Sequence, residues 1–165
     1  MPSSPAQPNL FPAPASKPAT KRATNPVSHG WISAHCDGGA RGNPGPSGFG
    51  ALIQDAGGAV LAELSEFLGI QTNNFAEYCG LLAALDFALT HNHPCLRVVS
   101  DSELMVKQIQ GRYKVKSPLL RPLFDQAKKK ISQLEAFEIT HALRHKNKDA
   151  DRLANQAMDR GMRCG

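Results

Sequence analysis

A helix-like pattern of apolar residues, with strand-like patterns before and after it, constrains the fold of this chain more than any other feature. From Asn73 to about Asn92, apolar residues recur with a period close to 3.6 residues, which predicts an amphipathic helix. The short apolar stretch from Leu96 to Val99 follows and predicts a buried strand. A strand entered through a crossover helix is expected to lie parallel to the strand that the chain crosses from.

The remaining patterns extend this unit to a βββαβααβα order. Three antiparallel strands are expected before the helix, because a turn at Gly57 and Gly58 joins two of them as a hairpin. The glycines and prolines of GGARGNPGPSG predict a segment without regular structure after the first strand. The predicted strands cover residues 31–37, 49–55, 59–68, 96–99 and 137–143, and the further helices cover 102–110, 118–132 and 149–162. The fold class is therefore α/β, with a mixed five-stranded sheet and helices on both faces.

Length and composition predict one folded domain with an appendage. The chain has 165 residues and an apolar fraction of 41%, which suits a single core. Residues 1–30 hold seven of the twelve prolines and little apolar surface, so we expect a disordered tail. No apolar run has the roughly 18 residues of a membrane helix, and no secretory signal is apparent, so a cytoplasmic protein without membrane contact is expected.

Charge is distributed unevenly along the chain. From Asp37 to Asp101 there are seven acids and two bases. From Lys107 to Lys130 there are eight bases and the single acid Asp125. An acidic half suited to cations and a basic half suited to phosphates favour a metal-dependent enzyme that acts on nucleic acid.

Four carboxylates stand at the predicted ends of strands or the starts of helices: Asp37, Glu77, Asp101 and Asp151. Each has an ordinary structural explanation, because Asp37 suits a turn, Asn74 and Glu77 have capping-box spacing, and the other two suit helix starts. Jointly they predict a site, since strand ends in α/β sheets lie side by side. Four gathered acids would repel one another unless cations neutralised them, and Mg²⁺ prefers such oxygen ligands.

The motif blocks together resemble ribonuclease H type I. The blocks are DGGARGNPGPSGFGA, TNNFAEYCGLLAAL, VVSDSELMVKQIQGRYKVK and HKNKDADRLAN, in the family's order and over residues 31–160. The resemblance implies a ribonuclease H-like fold, with a catalytic domain over residues 31–162. It also implies an endonuclease that hydrolyses the RNA strand of RNA–DNA hybrids and leaves 5′-phosphate and 3′-hydroxyl ends, with no covalent intermediate.

The same resemblance implies roles for individual residues. Asp37, Glu77, Asp101 and Asp151 would be catalytic and would bind Mg²⁺, or Mn²⁺ as a substitute, with two ions when substrate is bound. Asp37 would bridge the ions. The substrate-binding positions would be Gly38, Gly39, Asn73 and Asn74 towards the 2′-hydroxyls, and Asn43 and Thr72 towards a phosphate of the DNA strand. The partner would be an RNA–DNA hybrid and the protein a monomer.

The chain departs from many relatives in two places. Arg144 takes the position of a loop histidine before the last acid, and His141 and His145 are the nearby histidines. A large basic protrusion is not evident, so binding is expected to depend on Arg112, Lys114, Lys116 and the run Lys128 to Lys130. Two alternatives stay open: a module that binds hybrids or duplex RNA without cutting them, and a metal nuclease of the same fold with another substrate. Arg41 is a weaker candidate for substrate contact than the residues named above, because an arginine in a turn is usually just solvated.

Overall fold

Between residues 30 and 164, five strands and four α-helices follow one another in the predicted order. A computed structural model describes residues 30–164; the tail predicted for residues 1–30 therefore lies almost wholly outside the described residues. The strands are β1 (Trp31–Ala40), β2 (Gly45–Asp55), β3 (Val60–Gln71), β4 (Cys95–Ser100) and β5 (Ala136–His141). The helices are α1 (Asn73–Thr90), α2 (Glu103–Ile109), α3 (Arg121–Ile131) and α4 (Lys148–Cys164), with a short 3₁₀ turn at Arg144–Lys146.

The sheet has the order β3-β2-β1-β4-β5 and is mixed, as predicted. β1, β2 and β3 are antiparallel neighbours, whereas β4 pairs in parallel with β1 on one side and with β5 on the other. The crossover through α1 therefore takes the chain from β3 past β2 and β1 and places β4 on the far side of β1. As a result, the carboxyl ends of β1 and β4 lie next to each other, with Cys36 opposite Ser100.

Helices cover both faces of the sheet, also as predicted. On one face the main core packs α1 against inward residues of β1, β2 and β4, among them the fully buried Ala34, Ile53 and Val98. On the other face α4 lies close to β2, because Gly50 has no side chain and its Cα faces Leu153 and the backbone of Ala150 and Ala154. None of the helices between residues 30 and 164 combines the length and apolar character that crossing a bilayer requires.

The segment after β1 corrects one sequence prediction. We expected GGARGNPGPSG to lack regular structure, but Gly38 and Gly39 continue β1 and pair with Phe49 and Gly48 of β2. The irregular turn is limited to residues 41–44. Cross-strand hydrogen bonding to β2 outweighs the weak intrinsic preference of glycine for strands. Asp37 consequently lies within β1 and does not end it.

The start of α3 and the cap of α1 also differ from the sequence predictions, whereas α1 begins at Asn73 as predicted. α3 begins at Arg121 and not at Pro118, because Ser117 accepts a hydrogen bond from the backbone N–H of Leu120 and holds a separate turn. The cap of α1 is Thr72, whose Oγ1 accepts from the N–H of Phe75 at 3.1 Å. The proposed capping box of Asn74 and Glu77 is therefore wrong, and the Glu77 carboxylate is not used to cap its helix.

Candidate metal and nucleic-acid site

Three carboxylates meet where β1, α1 and β4 come together. Asp37 belongs to β1, Glu77 to the second turn of α1, and Asp101 follows β4 directly. One oxygen from each lies within 4.8 Å of one from each of the others. We call these three residues the acid cluster. Asp151, in the first turn of α4, borders the same cavity with a side chain that is 34% exposed.

The close approach of β1 and α1 depends on Gly38. A Cβ at this position would lie 2.5 Å from the carbonyl carbon of Ala76 and 2.6 Å from the backbone nitrogen of Glu77. Such distances are shorter than van der Waals contact, so only glycine allows the strand and the helix to lie so near each other. The Gly38 N–H also donates to Oδ1 of Asp37 at 2.9 Å, which orients that carboxylate.

Burial and mutual repulsion raise the pKa values of two of these acids. Burial, followed by the charge of Asp101, raises the pKa of Asp37 to about 8. Burial, followed by the charges of Asp37 and Asp101, raises the pKa of Glu77 well above its usual range. A cation at the cluster would reverse both effects, because it would stabilise the ionised carboxylates.

Two buried oxygens of the acid cluster lack a hydrogen-bond partner. They are Oε1 of Glu77 and Oδ1 of Asp101. Buried polar atoms almost always have a hydrogen-bond partner in folded proteins, so two carboxylate oxygens without one in the same cluster indicate a ligand site. Carboxylate oxygens are the donors that Mg²⁺ and Mn²⁺ prefer, so the acid cluster fits a hard divalent cation.

Arg144 is the cation that the structure places at this site. Its Nε lies 3.4 Å from Oδ2 of Asp101, and its Nη1 lies 3.6 Å from Oδ1 of Asp151. The side chain is 73% exposed and enters from the 3₁₀ turn. Both nearby histidines are exposed, His141 at the end of β5 and His145 in the same turn as Arg144.

The connection that carries Arg144 is tied to β1 by a buried amide. Nδ2 of Asn147 donates to the carbonyl oxygen of Cys36 at 2.8 Å, and Asn147 is only 2% exposed. Sequence reasoning did not select Asn147. Its place in the motif HKNKDADRLAN was the one available signal, but its partner lies 111 residues away.

Of the predicted substrate-binding residues, Gly38, Gly39 and Asn73 line the cavity beside the acid cluster, whereas Asn43, Thr72 and Asn74 lie outside its lining. Asn43 Oδ1 accepts from the backbone N–H of Asn73 at 3.0 Å, and Asn73 Oδ1 accepts from the N–H of Ala40 at 2.7 Å. Both bonds use the amide oxygen, so they fix the two side chains and leave the NH₂ groups able to donate to a ligand. Asn74 is exposed one residue further along α1, and Thr72 caps that helix. Gly39 lines the cavity together with Gly38.

Some basic side chains between Lys107 and Lys130 contact other residues of the fold, and others form no ion pair within the described residues. Lys130 pairs with Asp86 at 2.7 Å, and Lys128 donates to the carbonyl oxygen of Ile109 at 3.3 Å. These contacts weaken the expectation that the lysine run of α3 binds nucleic acid. By contrast, Arg112, Lys114 and Lys116 are exposed in the segment between α2 and α3, and none of them forms an ion pair with a residue in 30–164.

Comparison with known proteins gives consistent relatives. A family model described as reverse transcriptase-like matches residues 35–157. A ribonuclease HI of Halobacterium salinarum is 37% identical over 134 residues, which cover 81% of this chain and 67% of that protein. The bifunctional protein Rv2228c of Mycobacterium tuberculosis is 48% identical over 129 residues, but this chain spans only 35% of its length.

Solved structures match over most of the described chain. The N-terminal RNase H domain of the same mycobacterial protein has a TM-score of 0.79 and 44% identity, covering 81% of this chain and 97% of that one. LC11-RNase H1, solved in complex with an RNA/DNA hybrid, has a TM-score of 0.75 and 40% identity, covering 79% of this chain and 99% of that one.

Proposed function

This chain belongs to the ribonuclease H type I family, and we propose that it is an endonuclease that hydrolyses the RNA strand of RNA–DNA hybrids. The products would carry 5′-phosphate and 3′-hydroxyl ends. The observation that carries the proposal is the acid cluster, with two buried oxygens that lack partners. A relative that is 40% identical and was solved with a hybrid supports the choice of substrate. We place the catalytic domain at residues 31–162 and expect a cytoplasmic monomer.

Asp37, Glu77 and Asp101 would hold the metal, with Asp151 completing the ligand set from the cavity wall. When bound, two Mg²⁺ ions, or Mn²⁺ as a substitute, would supply the positive charge that favours hydrolytic attack at a phosphate and departure of the 3′ oxygen. The chain's own contribution is to hold the carboxylates in place. Gly38 allows the approach of β1 to α1, and its N–H orients Asp37.

The polar residues in and beside the cavity would distinguish the two strands of the hybrid. The amide donors of Asn73 and Asn74, with the backbone at Gly38 and Gly39, would meet the 2′-hydroxyls of the RNA strand. Asn43 and Thr72 would meet a phosphate of the DNA strand. Because Asn43 and Asn73 are each fixed by a hydrogen bond to the backbone, their NH₂ groups need little reordering on binding.

Arg112, Lys114 and Lys116 would extend the contact with the hybrid. They are exposed, carry three positive charges within five residues, and have no ion-pair partner among the described residues. Phosphate contacts of this kind position a duplex without reading its sequence. They are expected to make hybrid affinity fall steeply as salt rises.

A cleavage assay with four end-labelled substrates tests the proposal. RNA–DNA hybrid, duplex RNA, duplex DNA and single-stranded RNA are incubated with Mg²⁺ or with chelator. We expect Mg²⁺-dependent internal cuts only in the RNA of the hybrid, and none with the Asp101→Asn variant. The control is Asp125→Asn, which makes the same change in an exposed acid paired with Arg121 on α3 and should cut normally.

Each other outcome selects a different function. Hybrid binding without cleavage in Mg²⁺ or Mn²⁺ would identify a binding module and contradict the enzymatic proposal. Metal-dependent cuts in duplex DNA or duplex RNA would keep the metal site but assign another substrate. Wild-type turnover by Asp101→Asn would remove Asp101 from the set of metal-binding residues.

A further inference from the structure

We propose that Arg41 is a substrate-binding residue, whose guanidinium holds a backbone phosphate of the RNA strand next to the one that faces the acid cluster. The inference rests on the proposed function and extends it to a residue outside the predicted site. The sequence favoured simple solvation for this turn arginine. The structure instead fixes it at one end of the cavity that contains the acid cluster.

The cavity has two chemically different ends. Its volume of about 410 Å³ lies within the range of about 300–1,000 Å³ that is usual for ligand sites. Asp37, Glu77 and Asp151 line one end, whereas Arg41, Asn155 and Met158 come from the β1–β2 turn and from α4. A nucleic-acid strand that follows this cavity would place one phosphate at the acidic end and a neighbouring nucleotide towards Arg41.

The charge of the substrate favours a cation away from the acids. The proposed Mg²⁺ ions would offset the carboxylates, but the phosphates that flank the scissile one would still need positive groups near them. Within the part of the chain that the structure describes, Arg41 and Arg144 are the bases that line the cavity. Arg144 lies against Asp101 and Asp151. Arg41 is therefore the base that has no contact with the acidic end.

Contacts with α4 hold the Arg41 guanidinium in one orientation. Nη1 donates to Oδ1 of Asp159 at 2.6 Å and lies 3.2 Å from the sulfur of Met162, and Nη2 donates to Oδ1 of Asn155 at 3.2 Å. The side chain is nevertheless 36% exposed. An arginine has five N–H donors, so these three contacts leave the Nε hydrogen and one Nη2 hydrogen for a ligand.

The turn that carries Arg41 is itself fixed to the fold. Asn43 ties it to the start of α1, and the N–H of Arg41 donates to the carbonyl oxygen of Pro46 at 2.8 Å. A guanidinium that is already ordered loses little conformational entropy when it meets a phosphate, and its planar fork matches two phosphate oxygens. The paired Asp159 is 51% exposed, so it offsets the charge of Arg41 only in part.

The alternative is that Arg41 only fastens the turn to α4. Two variants separate the two roles, because Arg41→Ala and Asp159→Asn break the same ion pair. Arg41→Ala also removes the contacts with Asn155 and Met162, so it should lower Tm at least as much as Asp159→Asn. Their effects on binding should differ. Arg41→Ala removes the positive charge that would meet the phosphate, whereas Asp159→Asn removes the negative charge that competes with it.

The experiment measures binding of a short fluorescein-labelled RNA–DNA hybrid by anisotropy over a series of KCl concentrations. All variants carry Asp101→Asn, so that the hybrid is not cut in Mg²⁺. Against this parent, we expect Arg41→Ala to weaken binding about tenfold and to reduce the slope of log Kd against log salt by about 0.9. Asp159→Asn should bind as tightly as the parent or more tightly. Arg152 lies on α4 like Asp159 but does not line the cavity, and it pairs with Glu63 of β3. Arg152→Ala is therefore the matched control and should change neither quantity.

The outcomes distinguish this inference from the proposed function. If the parent binds hybrid and Arg41→Ala binds equally well, Arg41 is a structural clamp and the inference is wrong. Equal weakening by Arg41→Ala and Asp159→Asn would also contradict it, because the shared ion pair would then explain both effects. If the parent does not bind hybrid and the wild-type chain does not cut it, the proposed function fails first and the inference fails with it.

Discussion

Replacing Asp37 by asparagine should stabilise the metal-free protein at neutral pH, although it should abolish hybrid cleavage. Asp37 is 3% exposed, and its pKa rises from an ordinary 3.8 to about 8. Between these two values the carboxyl group is protonated in the folded protein and ionised in the unfolded chain. Unfolding then releases a proton, so stability decreases as pH rises through this window.

The magnitude follows from the width of that window. The free energy of unfolding should fall by about 1.4 kcal/mol for each pH unit above the ordinary pKa of 3.8. By pH 7 the total decrease is about 4 kcal/mol. Neighbouring acids share this proton, so we expect about half of that, roughly 2 kcal/mol, to be recovered in Asp37→Asn. The asparagine Oδ1 can still accept from the N–H of Gly38. For a domain of this size the gain corresponds to a rise in Tm of about 8 °C.

Thermal unfolding in chelator measures the effect. The wild-type chain, Asp37→Asn and the control Asp125→Asn are compared from pH 5 to pH 8. The gap between the first two should widen with pH, whereas the exposed Asp125 should change stability by less than about 0.5 kcal/mol. Addition of Mg²⁺ should stabilise the wild-type chain far more than Asp37→Asn. A metal-free Asp37→Asn that is less stable than wild type at pH 7, or a gap independent of pH, would refute the reasoning.

Two further substitutions test other contacts of the fold and the site. Arg144→Gln should lower the Mg²⁺ concentration that gives half-maximal thermal stabilisation, because the ion no longer competes with a guanidinium 3.4 Å from Asp101; an unchanged or higher midpoint would contradict this. Tyr78→Phe should cost about 1–2 kcal/mol in urea unfolding, because it leaves the buried Gln108 Oε1 without the hydroxyl that donates to it at 2.6 Å. A neutral result would mean that water replaces that hydroxyl.

Local patterns predicted the elements of this fold but misplaced some of their limits. The period of apolar residues defined α1 well, because helical hydrogen bonds and the buried stripe are both properties of one segment. Gly38 and Gly39 were assigned to a turn because their strand character depends on β2, a separate segment that supplies the cross-strand hydrogen bonds. The true cap of α1, Thr72, was overlooked for a different reason, since the two residues that follow it, Asn73 and Asn74, also have side chains suited to capping.

The acid cluster was accessible to sequence reasoning because topology alone brings its members together. Asp37 and Asp101 lie on or directly after parallel neighbours, β1 and β4, so their side chains had to be close once the crossover was correct. No such rule constrains the two arginines. Arg41 and Arg144 both lie in connections and look equivalent in the sequence, yet Arg144 reaches the acids and Arg41 reaches Asp159, which is 118 residues away. The sequence therefore shows that two arginines lie near the site. Which acids these long side chains contact depends on how α4 packs across the sheet. For that reason the structure adds more to the functional prediction through the arginines of the cavity than through its carboxylates.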